Sequence, residues 1–244
     1  MEAEPAPPVY KRLSVLVPVY NERATVGEIV RRMRRVEMPG GLDLEIVVVD
    51  DGSTDGTDKV LAAVEDSTVM VLRHQVNQGK GACIRTALPR AHGDLVLIQD
   101  ADLEYDPEDW PTLLAPVLKG RAKVVYGSRY LGAHQTSGYW AHLGNRFVSI
   151  AADLLYNTNL SDVQTCYKLF DRSVLDGISI ESDRFDFEPE VTAKLLRKGV
   201  RIYEVPISYA GRAQDEGRKF ATRDTARALA ALIRYRFASP VRRS

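Results

Sequence analysis

The 244-residue sequence has little cysteine, no net charge and no long apolar run. Its two cysteines, Cys83 and Cys166, are too few for a disulfide framework or a cysteine metal site, and they are typical of a reducing cytosol. The 33 basic and 33 acidic residues cancel, so the overall charge gives no reason to expect a nucleic-acid partner. No stretch of about 18 apolar residues occurs, so we expect no membrane span. These absences predict a cytoplasmic protein whose membrane contact, if any, is peripheral.

Both ends of the sequence differ from the middle in composition. The first residues are acidic and proline-rich, so they are not a signal peptide, and we expect residues 1–9 to form a disordered tail. From Arg212 to Ser244 there are nine basic and three acidic residues. No repeat or linker interrupts the chain between these ends. We therefore expect one domain over residues 10–237, followed by a basic tail at residues 238–244.

Apolar strand patterns alternate with helix patterns along most of the sequence. This alternation predicts an α/β fold with a mostly parallel sheet flanked by helices. Pro18 is expected to end the first strand, and Thr25 with Glu28 has the spacing of a helix capping box. The stretch 131–144 is polar and glycine-bearing, as is typical of a functional loop. The predicted strands are 13–19, 44–49, 68–73, 95–98, 123–126, 165–170 and 200–207, and the main predicted helices are 26–36, 58–64, 110–118, 145–156, 188–198 and 222–237.

The fourth predicted strand, 95–98, runs directly into Asp100 and Asp102. Residues two apart on an extended chain point to the same side, so the two carboxylates would face one spot at the carboxyl end of the strand. Like charges this close repel, and Mg²⁺ or Mn²⁺ bound to a diphosphate would compensate them. Acidic residues are also common in solvated turns. Taken alone, the motif supports either interpretation.

Three other predicted strands also lead into polar residues. Parallel strands bring their carboxyl ends to one edge of the sheet, so these side chains would share a crevice with Asp100 and Asp102. A nucleotide suits such a crevice, with carboxylates near the base or ribose and a lysine and a metal near the phosphates. No Gly-x-Gly-x-x-Gly motif follows the first strand, which argues against a dehydrogenase. The additional residues are Tyr20, Glu22, Asp50, Asp51 and Lys80.

Five motifs together resemble family-2 glycosyltransferases, and most closely polyprenyl-phosphate sugar synthases of the dolichol-phosphate mannose synthase type. The resemblance covers residues 12–237 and implies a GT-A fold with a C-terminal amphipathic helix. It implies inverting, metal-dependent transfer of a hexose from a UDP- or GDP-linked sugar to a polyprenyl monophosphate, for cell-envelope glycan assembly. The motifs are Pro18–Glu22, Asp50–Asp55, Asn77–Gly81, Asp100–Leu103 and Gly127–Tyr130.

The resemblance also implies a donor site. Mg²⁺ or Mn²⁺ would be held by Asp100, Asp102 and Glu104, although many relatives have glutamine at the last of these positions. Asp50 would contact the base, and Lys80 would lie near the nucleotide. The full implied nucleotide set is Pro18, Tyr20, Glu22, Asp50, Ser53, Lys80, Asp100, Ala101 and Asp102.

The acceptor side of the implied site is cationic. Arg129 would bind the acceptor phosphate, with Arg146 as a second candidate. Arg212 and Lys219 would come from a late loop that closes over the diphosphates. A lipid monophosphate is already anionic near neutral pH, so a dedicated base is not required. Asp162 is the carboxylate to test if a base exists, and a structural role for it is at least as plausible.

The last predicted helix carries an apolar stripe beside several arginines. Such a helix can lie on an anionic membrane surface, or its apolar face can pack against the domain, and the sequence favours neither. Relatives often carry transmembrane helices after this point or work beside a small membrane protein. The resemblance therefore implies peripheral contact on the cytoplasmic face and a small membrane-protein partner. Two other functions stay open: transfer to a saccharide or protein acceptor, and an inactive nucleotide-binding subunit. The stripe is Ala226, Leu229, Ala230, Ile233 and Phe237.

Overall fold

The computed structural model describes residues 8–132, 139–211 and 222–238. Its strands and helices alternate in the order that the sequence predicts. The strands are Arg12–Val19 (β1), Asp43–Asp50 (β2), Val69–Arg73 (β3), Leu95–Ile98 (β4), Val124–Ser128 (β5), Lys168–Asp171 (β6) and Ile202–Pro206 (β7). The helices are Val26–Arg35 (α1), Thr57–Ala62 (α2), Lys80–Ala87 (α3), Trp110–Leu118 (α4), Tyr139–Tyr156 (α5), Arg172–Leu175 (α6), Phe187–Arg197 (α7) and Thr222–Phe237 (α8).

The seven strands form one sheet in the order β3-β2-β1-β4-β6-β5-β7. Strand β6 runs antiparallel to both of its neighbours, and every other pairing in the sheet is parallel. This confirms the predicted α/β fold with a mostly parallel sheet. Because β1, β2, β4 and β5 point the same way, the polar residues that follow them meet at one edge. The sheet thereby positions the site.

Strand β1 continues through Pro18, where the sequence predicts that it ends. The Leu16 carbonyl accepts a hydrogen bond from Gln99 N at 3.0 Å, so Leu16 and Pro18, two residues on, direct their backbone polar groups toward β4. Strand β4 has already ended at Ile98, whereas β2 continues to pair beside Pro18. The missing N–H of proline therefore costs no ladder hydrogen bond.

Two helix starts also differ from the sequence prediction. The capping box does not form: Thr25 Oγ1 donates to the Glu22 carboxylate at 2.7 Å, and Glu28 pairs with Arg32 at 2.8 Å. Helix α5 begins at Tyr139 rather than near 145, so the predicted loop at 131–144 is shorter, and residues 133–138 lie outside the described residues. The expected tails lie largely outside them as well.

Helix α8 buries one face and exposes another. Ala228 and Leu232 are fully buried in a small core with Val148 and Ala152 of α5, separate from the main core around the sheet. On the exposed side, Phe237 is 78% accessible. In the part of the chain that the structure describes, no helix combines the length and apolar content needed to cross a membrane.

Gly93 offers a direct test of the packing at the amino-terminal edge of the sheet. A Cβ added there would lie 2.6 Å from Ser14 N and 2.8 Å from the Leu95 carbonyl oxygen, both backbone atoms. We expect Gly93→Ala to lower the free energy of unfolding by about 1–3 kcal/mol, because a packed backbone must move. Denaturant unfolding measures this. Gly27→Ala is the control: its added Cβ meets only one side-chain atom, Val60 Cγ1, at 3.3 Å, so a change below about 1 kcal/mol is expected. Equal effects of the two changes would contradict the packing at Gly93.

Candidate active site

A cleft of about 480 Å³ opens at the carboxyl edge of the sheet. Residues from four strand ends line it, as the sequence predicts: Pro18, Tyr20, Glu22, Asp51, Lys80, Asp100, Ala101 and Asp102. Its wall also includes Glu104, Tyr105, Arg129 and five residues from later segments, namely Gln164, Arg184, Phe185, Glu188 and Tyr209. The cleft therefore joins an acidic donor-side cluster to a buried arginine.

Three carboxylates face the cleft after β4. Glu104 N donates to Asp102 Oδ1 at 3.2 Å, and Glu104 Oε2 accepts from the Tyr209 hydroxyl at 2.8 Å. Between them, Leu103 has a φ of 64°, a left-handed conformation that is uncommon for a bulky residue and often marks a functional turn. Carboxylate oxygens are the ligands that Mg²⁺ and Mn²⁺ prefer, so Asp100, Asp102 and Glu104 have the chemistry that such an ion requires. Among the described residues, their ligand atoms do not all lie within 4.8 Å of one another, so an ion would have to draw the side chains together.

Lys80 is buried between two carboxylates. Its Nζ lies 2.8 Å from Asp100 Oδ1 and 2.8 Å from Glu188 Oε1. Burial opposes the charged form, but Asp100 and then Glu188 raise the pKa of Lys80 well above its usual value. The lysine is therefore a fixed cation of the cleft.

Two glycines let the chain carrying Lys80 approach another loop closely. A Cβ on Gly79 would lie 2.3 Å from the Asp183 carbonyl oxygen, and one on Gly81 would lie 2.1 Å from that of Ser182. Gly79 also has a φ of 106°, which favours glycine. The glycines thus allow α3 to start against the loop that leads to Glu188.

Asp51 stabilises the turn that precedes Lys80 by accepting hydrogen bonds from its backbone. Its Oδ1 accepts from Gln78 N at 2.9 Å and lies 2.7 Å from His74 Nδ1, while its Oδ2 accepts from Gly79 N at 2.7 Å. The other ring nitrogen of His74 lies 2.9 Å from Thr86 Oγ1. Asp51, His74 and Cys83 form a cluster of potential metal ligands. The hydrogen bonds of Asp51 and His74 already explain why these side chains lie together, so we assign them a structural role.

Asp50 and Ser53 lie outside the lining of the cleft. Asp50 is 1% exposed, and its Oδ1 accepts from Ser53 N at 2.9 Å. Asp50 Oδ2 is buried without a hydrogen-bond partner, although Arg73 Nε lies 3.3 Å away. Ser53 Oγ accepts from Asn21 N at 2.9 Å. Asp50 Oδ2 is buried beside Arg73 and away from the lining of the cleft, so a role for Asp50 in base recognition stays a prediction.

At the other end of the cleft, Asp162 holds Arg129 in a bidentate pair. Arg129 Nε donates to Asp162 Oδ2 and Nη2 donates to Oδ1, both at 2.7 Å, and Arg129 N also donates to Oδ2 at 3.1 Å. Burial disfavours the charged guanidinium, but Asp162 raises the pKa of Arg129 well above its usual value. Since Asp162 is fully buried and both its oxygens are engaged, the geometry assigns it to orienting Arg129.

The loop that carries Asp162 is itself anchored from two sides. Glu204 on β7 accepts hydrogen bonds from Ser161 N at 2.9 Å and from Asp162 N at 3.1 Å. Lys168 is fully buried, and its Nζ donates to the Val163 carbonyl at 2.9 Å. Burial lowers the pKa of Lys168 to about 8.

Of the three other predicted cationic residues, the structure describes one. Arg146 is exposed on α5, one residue after Asn145, which does line it. Arg212 and Lys219 lie outside the described residues. Their roles stay predictions.

Comparison with known proteins identifies the family. The family model for Glycosyl transferase family 2 matches residues 14–179. The chain belongs to this family.

Relatives of this family-2 member include lipid-linked sugar transferases. The chain is 30% identical over 214 residues to undecaprenyl-phosphate 4-deoxy-4-formamido-L-arabinose transferase of Pseudomonas aeruginosa (strain LESB58), and 29% identical over 215 residues to that of Pseudomonas paraeruginosa (strain DSM 24068 / PA7). Each match covers 86% of this chain but 61% of the relative, so the chain spans about three fifths of the length of these proteins.

Solved structures confirm the GT-A fold of this family-2 member. Glucosyl-3-phosphoglycerate synthase from Mycobacterium tuberculosis, in complex with phosphoglyceric acid, matches with a TM-score of 0.70 and 21% identity over 92% of this chain and 80% of that one. Its complex with Mn²⁺, UDP and glucosyl-3-phosphoglycerate matches with a TM-score of 0.66 and 22% identity, over the same shares of the two chains.

Sequence reasoning missed several residues of this family-2 site. Glu188 on α7 forms the second ion pair of Lys80. Tyr209 donates a hydrogen bond to Glu104, and its ring lies 5.2 Å from the guanidinium of Arg129. Neither residue belongs to a recognisable motif. Glu188 did carry one signal, since it stands at the predicted start of a helix, directly before Pro189.

The Arg129–Asp162 pair can be tested by a double-mutant cycle. We expect Asp162→Asn to lower the free energy of unfolding by about 3–5 kcal/mol, because it leaves a buried guanidinium without its counter-charge. The double variant Arg129→Met/Asp162→Asn removes the stranded charge and should recover part of that loss. Denaturant unfolding of the four proteins measures the coupling. Additive effects of the two changes would show that the pair does not act as a unit.

Proposed function

We propose that this family-2 glycosyltransferase transfers a hexose, with inversion and with a divalent metal, from a UDP- or GDP-sugar to a polyprenyl monophosphate. The observation that carries the proposal is the cleft itself, which has carboxylates and Lys80 at one end and the clamped Arg129 at the other. Such a cleft suits two anionic substrates that must meet. The undecaprenyl-phosphate sugar transferases among the relatives support the lipid phosphate as acceptor.

The donor end suits a nucleoside diphosphate. Asp100, Asp102 and Glu104 would hold Mg²⁺ or Mn²⁺, which would stabilise the charge that develops on the leaving diphosphate. Lys80 holds Asp100 in place through an ion pair of 2.8 Å, and it would add a buried positive charge near the phosphates. Similar folds crystallised with Mn²⁺ and UDP support this assignment.

The acceptor end suits a phosphate that needs orientation rather than deprotonation. A phosphate monoester has its second pKa near 6, so it is already a nucleophile at neutral pH. Arg129 would align it for in-line attack on the anomeric carbon, which inverts the configuration there. Asp162 would act through Arg129, because its two oxygens are already engaged. A dedicated base is therefore unnecessary.

Lipid mass spectrometry tests the reaction directly. Purified protein is incubated with Mn²⁺, a short polyprenyl phosphate and a panel of nucleotide sugars. We expect a glycosylated lipid phosphate from one donor, reduced about a thousandfold or more in Asp102→Ala, since the metal ligand stabilises the leaving group. Asp43→Ala, a 73% exposed carboxylate at the opposite edge of the sheet, serves as the control and should leave the yield unchanged. A product formed only on saccharides or proteins, or bound nucleotide without any product, would contradict the proposal.

Base recognition by Asp50 is tested by nucleotide binding. We expect Asp50→Asn to raise the Kd of the preferred nucleoside diphosphate about tenfold, because the buried Asp50 Oδ2 would lose a charge-assisted bond to the base. Titration calorimetry measures the Kd. Asp58→Asn is the matched control: Asp58 also pairs with Arg73, at 2.9 Å, but lies on the surface of α2. Equal effects of the two variants would assign the loss to Arg73 and not to base recognition.

A polyprenyl acceptor would bring the protein to the cytoplasmic face of a membrane. Peripheral contact and a small membrane-protein partner therefore belong to this proposal. The chain must then carry a surface that can meet the lipid.

A further inference from the structure

Three cationic side chains line the cleft among the described residues, and the proposed reaction so far uses two of them. Lys80 and Arg129 each pair with carboxylates. The third is Arg184, which lies on the loop between α6 and α7. Within the described ranges, the guanidinium of Arg184 forms neither an ion pair nor a hydrogen bond. It is therefore a cleft cation whose charge no described carboxylate offsets.

The carboxylates next to Arg184 in the sequence are already engaged. Asp183 Oδ1 lies 2.6 Å from Arg85 Nη2, so a different arginine offsets its charge. Asp186 Oδ1 accepts a hydrogen bond from the backbone N of Arg184 at 3.2 Å, so it contacts the main chain of this residue and not its guanidinium. Because an arginine stays charged at neutral pH, the side chain is available to an anion that a ligand supplies.

The loop that carries Arg184 is fixed against the start of α3. The Asp183 carbonyl accepts a hydrogen bond from Ala82 N at 3.1 Å. A Cβ on Gly79 would lie 2.7 Å from Arg184 Cγ, so the stem of the arginine passes directly over Gly79. Gly79 directly precedes Lys80. The fold thereby holds the base of the Arg184 side chain at a defined place, against the turn that leads into Lys80.

This place is the donor end of the cleft. Gly79 and Lys80 line the cleft, and Lys80 pairs with Asp100, which the family resemblance assigns to nucleotide and metal binding. The single positive charge of Lys80 is shared between Asp100 and Glu188, each at 2.8 Å, so the three side chains together carry a net negative charge.

A diphosphate bound at this end needs positive charge beyond that of Lys80, because its own charges would otherwise face carboxylates. A divalent metal would supply part of the missing charge. Arg184 can supply more, since no described carboxylate competes for its guanidinium.

We propose that Arg184 binds the diphosphate of the donor through charge-assisted hydrogen bonds. The planar guanidinium presents its N–H groups as a fork that matches two phosphate oxygens at once, which the point charge of a lysine cannot do. Arg129, held by Asp162 at the other end of the cleft, is left to the acceptor phosphate. The proposal rests on the proposed function, because it takes the donor to be a nucleoside diphosphate sugar.

Two other groups of the substrates can also interact with a guanidinium. It can stack on the base of the nucleotide, and it can bind the phosphate of the acceptor. A nucleoside has the base without a phosphate, and a polyprenyl phosphate has a phosphate without a base. Binding measurements with these two ligands, beside a nucleoside diphosphate, therefore separate the three roles.

Titration of the full chain with UDP and with GDP, in the presence of Mn²⁺, tests the proposal by calorimetry. We expect Arg184→Gln to raise the Kd of the preferred nucleoside diphosphate about tenfold or more, because it removes charge-assisted bonds to phosphate. Arg184→Lys keeps the charge but not the fork, so its Kd should lie between those of the other two proteins. The Kd of uridine or guanosine, measured by ligand-observed NMR, should be the same in all three.

Arg85→Gln is the matched control. It removes the same charge from a 42% exposed arginine that pairs with the same loop, at Asp183, but does not line the cleft. Its Kd for the nucleoside diphosphate should equal that of the unchanged protein. Unfolding curves establish that each variant is folded.

Four results would overturn the proposal. One is an unchanged Kd of UDP and GDP in Arg184→Gln. Another is an equal loss in Arg85→Gln, which would assign the effect to the position of the loop. The third is an equal loss for the nucleoside, which would assign the arginine to the base. The last is a loss confined to a short polyprenyl phosphate titrated without nucleotide, which would assign it to the acceptor.

The lipid assay separates this proposal from the proposed function. If no donor gives a glycosylated lipid but the Kd values follow the expected pattern, the proposed acceptor is wrong and the assignment of Arg184 stands. If the glycosylated lipid forms and Arg184→Gln binds UDP and GDP like the unchanged protein, the assignment is wrong and the proposed function stands.

Discussion

Charge balance at the carboxyl edge of the sheet is the constraint on which the site depends. Among the described residues that line the cleft, six carry carboxylates and three carry cationic side chains. Buried like charges repel unless cations compensate them. Lys80 compensates Asp100 and Glu188 at one end, and Arg129 compensates Asp162 at the other. Of the other four lining carboxylates, Asp102 and Glu104 follow Asp100 on the same segment, where a divalent cation would offset their charge.

The motifs of the site were predictable because each lies directly after a strand. Asp100, Asp102 and Lys80 are local features, and parallel pairing carries such residues to one edge whatever the order of the strands. Their long-range partners were not predictable in the same way. Glu188 reaches Lys80 from a helix 108 positions later in the sequence, and its place depends on how α7 packs. Nothing in the local pattern around position 188 encodes that neighbour.

The same distinction between local and long-range determinants explains where the observed fold differs from the predicted one. Strand β6, which runs antiparallel between β4 and β5, has four residues, and only the two in the middle are apolar. A strand this short gives no sequence pattern from which its direction could be predicted. Strand β1 passes through Pro18 because β4 has already ended beside it, which is a property of a neighbour rather than of β1. Predictions from local chemistry therefore hold best where the local chain alone determines the outcome.

The amphipathic helix α8 has one side that packs on the domain and another that is exposed. Its stripe was expected either to pack on the domain or to meet a membrane. One side of the helix, with Ala228 and Leu232, does pack on the domain, while the stripe with Ile233 and Phe237 stays exposed. Helix α5 also has an exposed apolar stripe, which consists of Leu143, Phe147, Ile150 and Leu154. The sequence pattern places Leu143 in a loop, because the stretch before position 145 is polar and glycine-bearing, whereas the helix starts at Tyr139.

Glu104 links this charge balance to the end of the cleft that the predicted late loop would close. The family resemblance implies a neutral glutamine at this position, whereas this chain has a carboxylate, which makes this part of the cleft more negative by one charge. The Tyr209 hydroxyl donates to that carboxylate, and the Tyr209 ring lies against Arg129, so the two ends of the cleft share this one side chain. Tyr209 directly precedes the segment that carries Arg212 and Lys219. Cationic side chains on that segment would offset the negative charge of Glu104, beside the diphosphate that the site is proposed to bind.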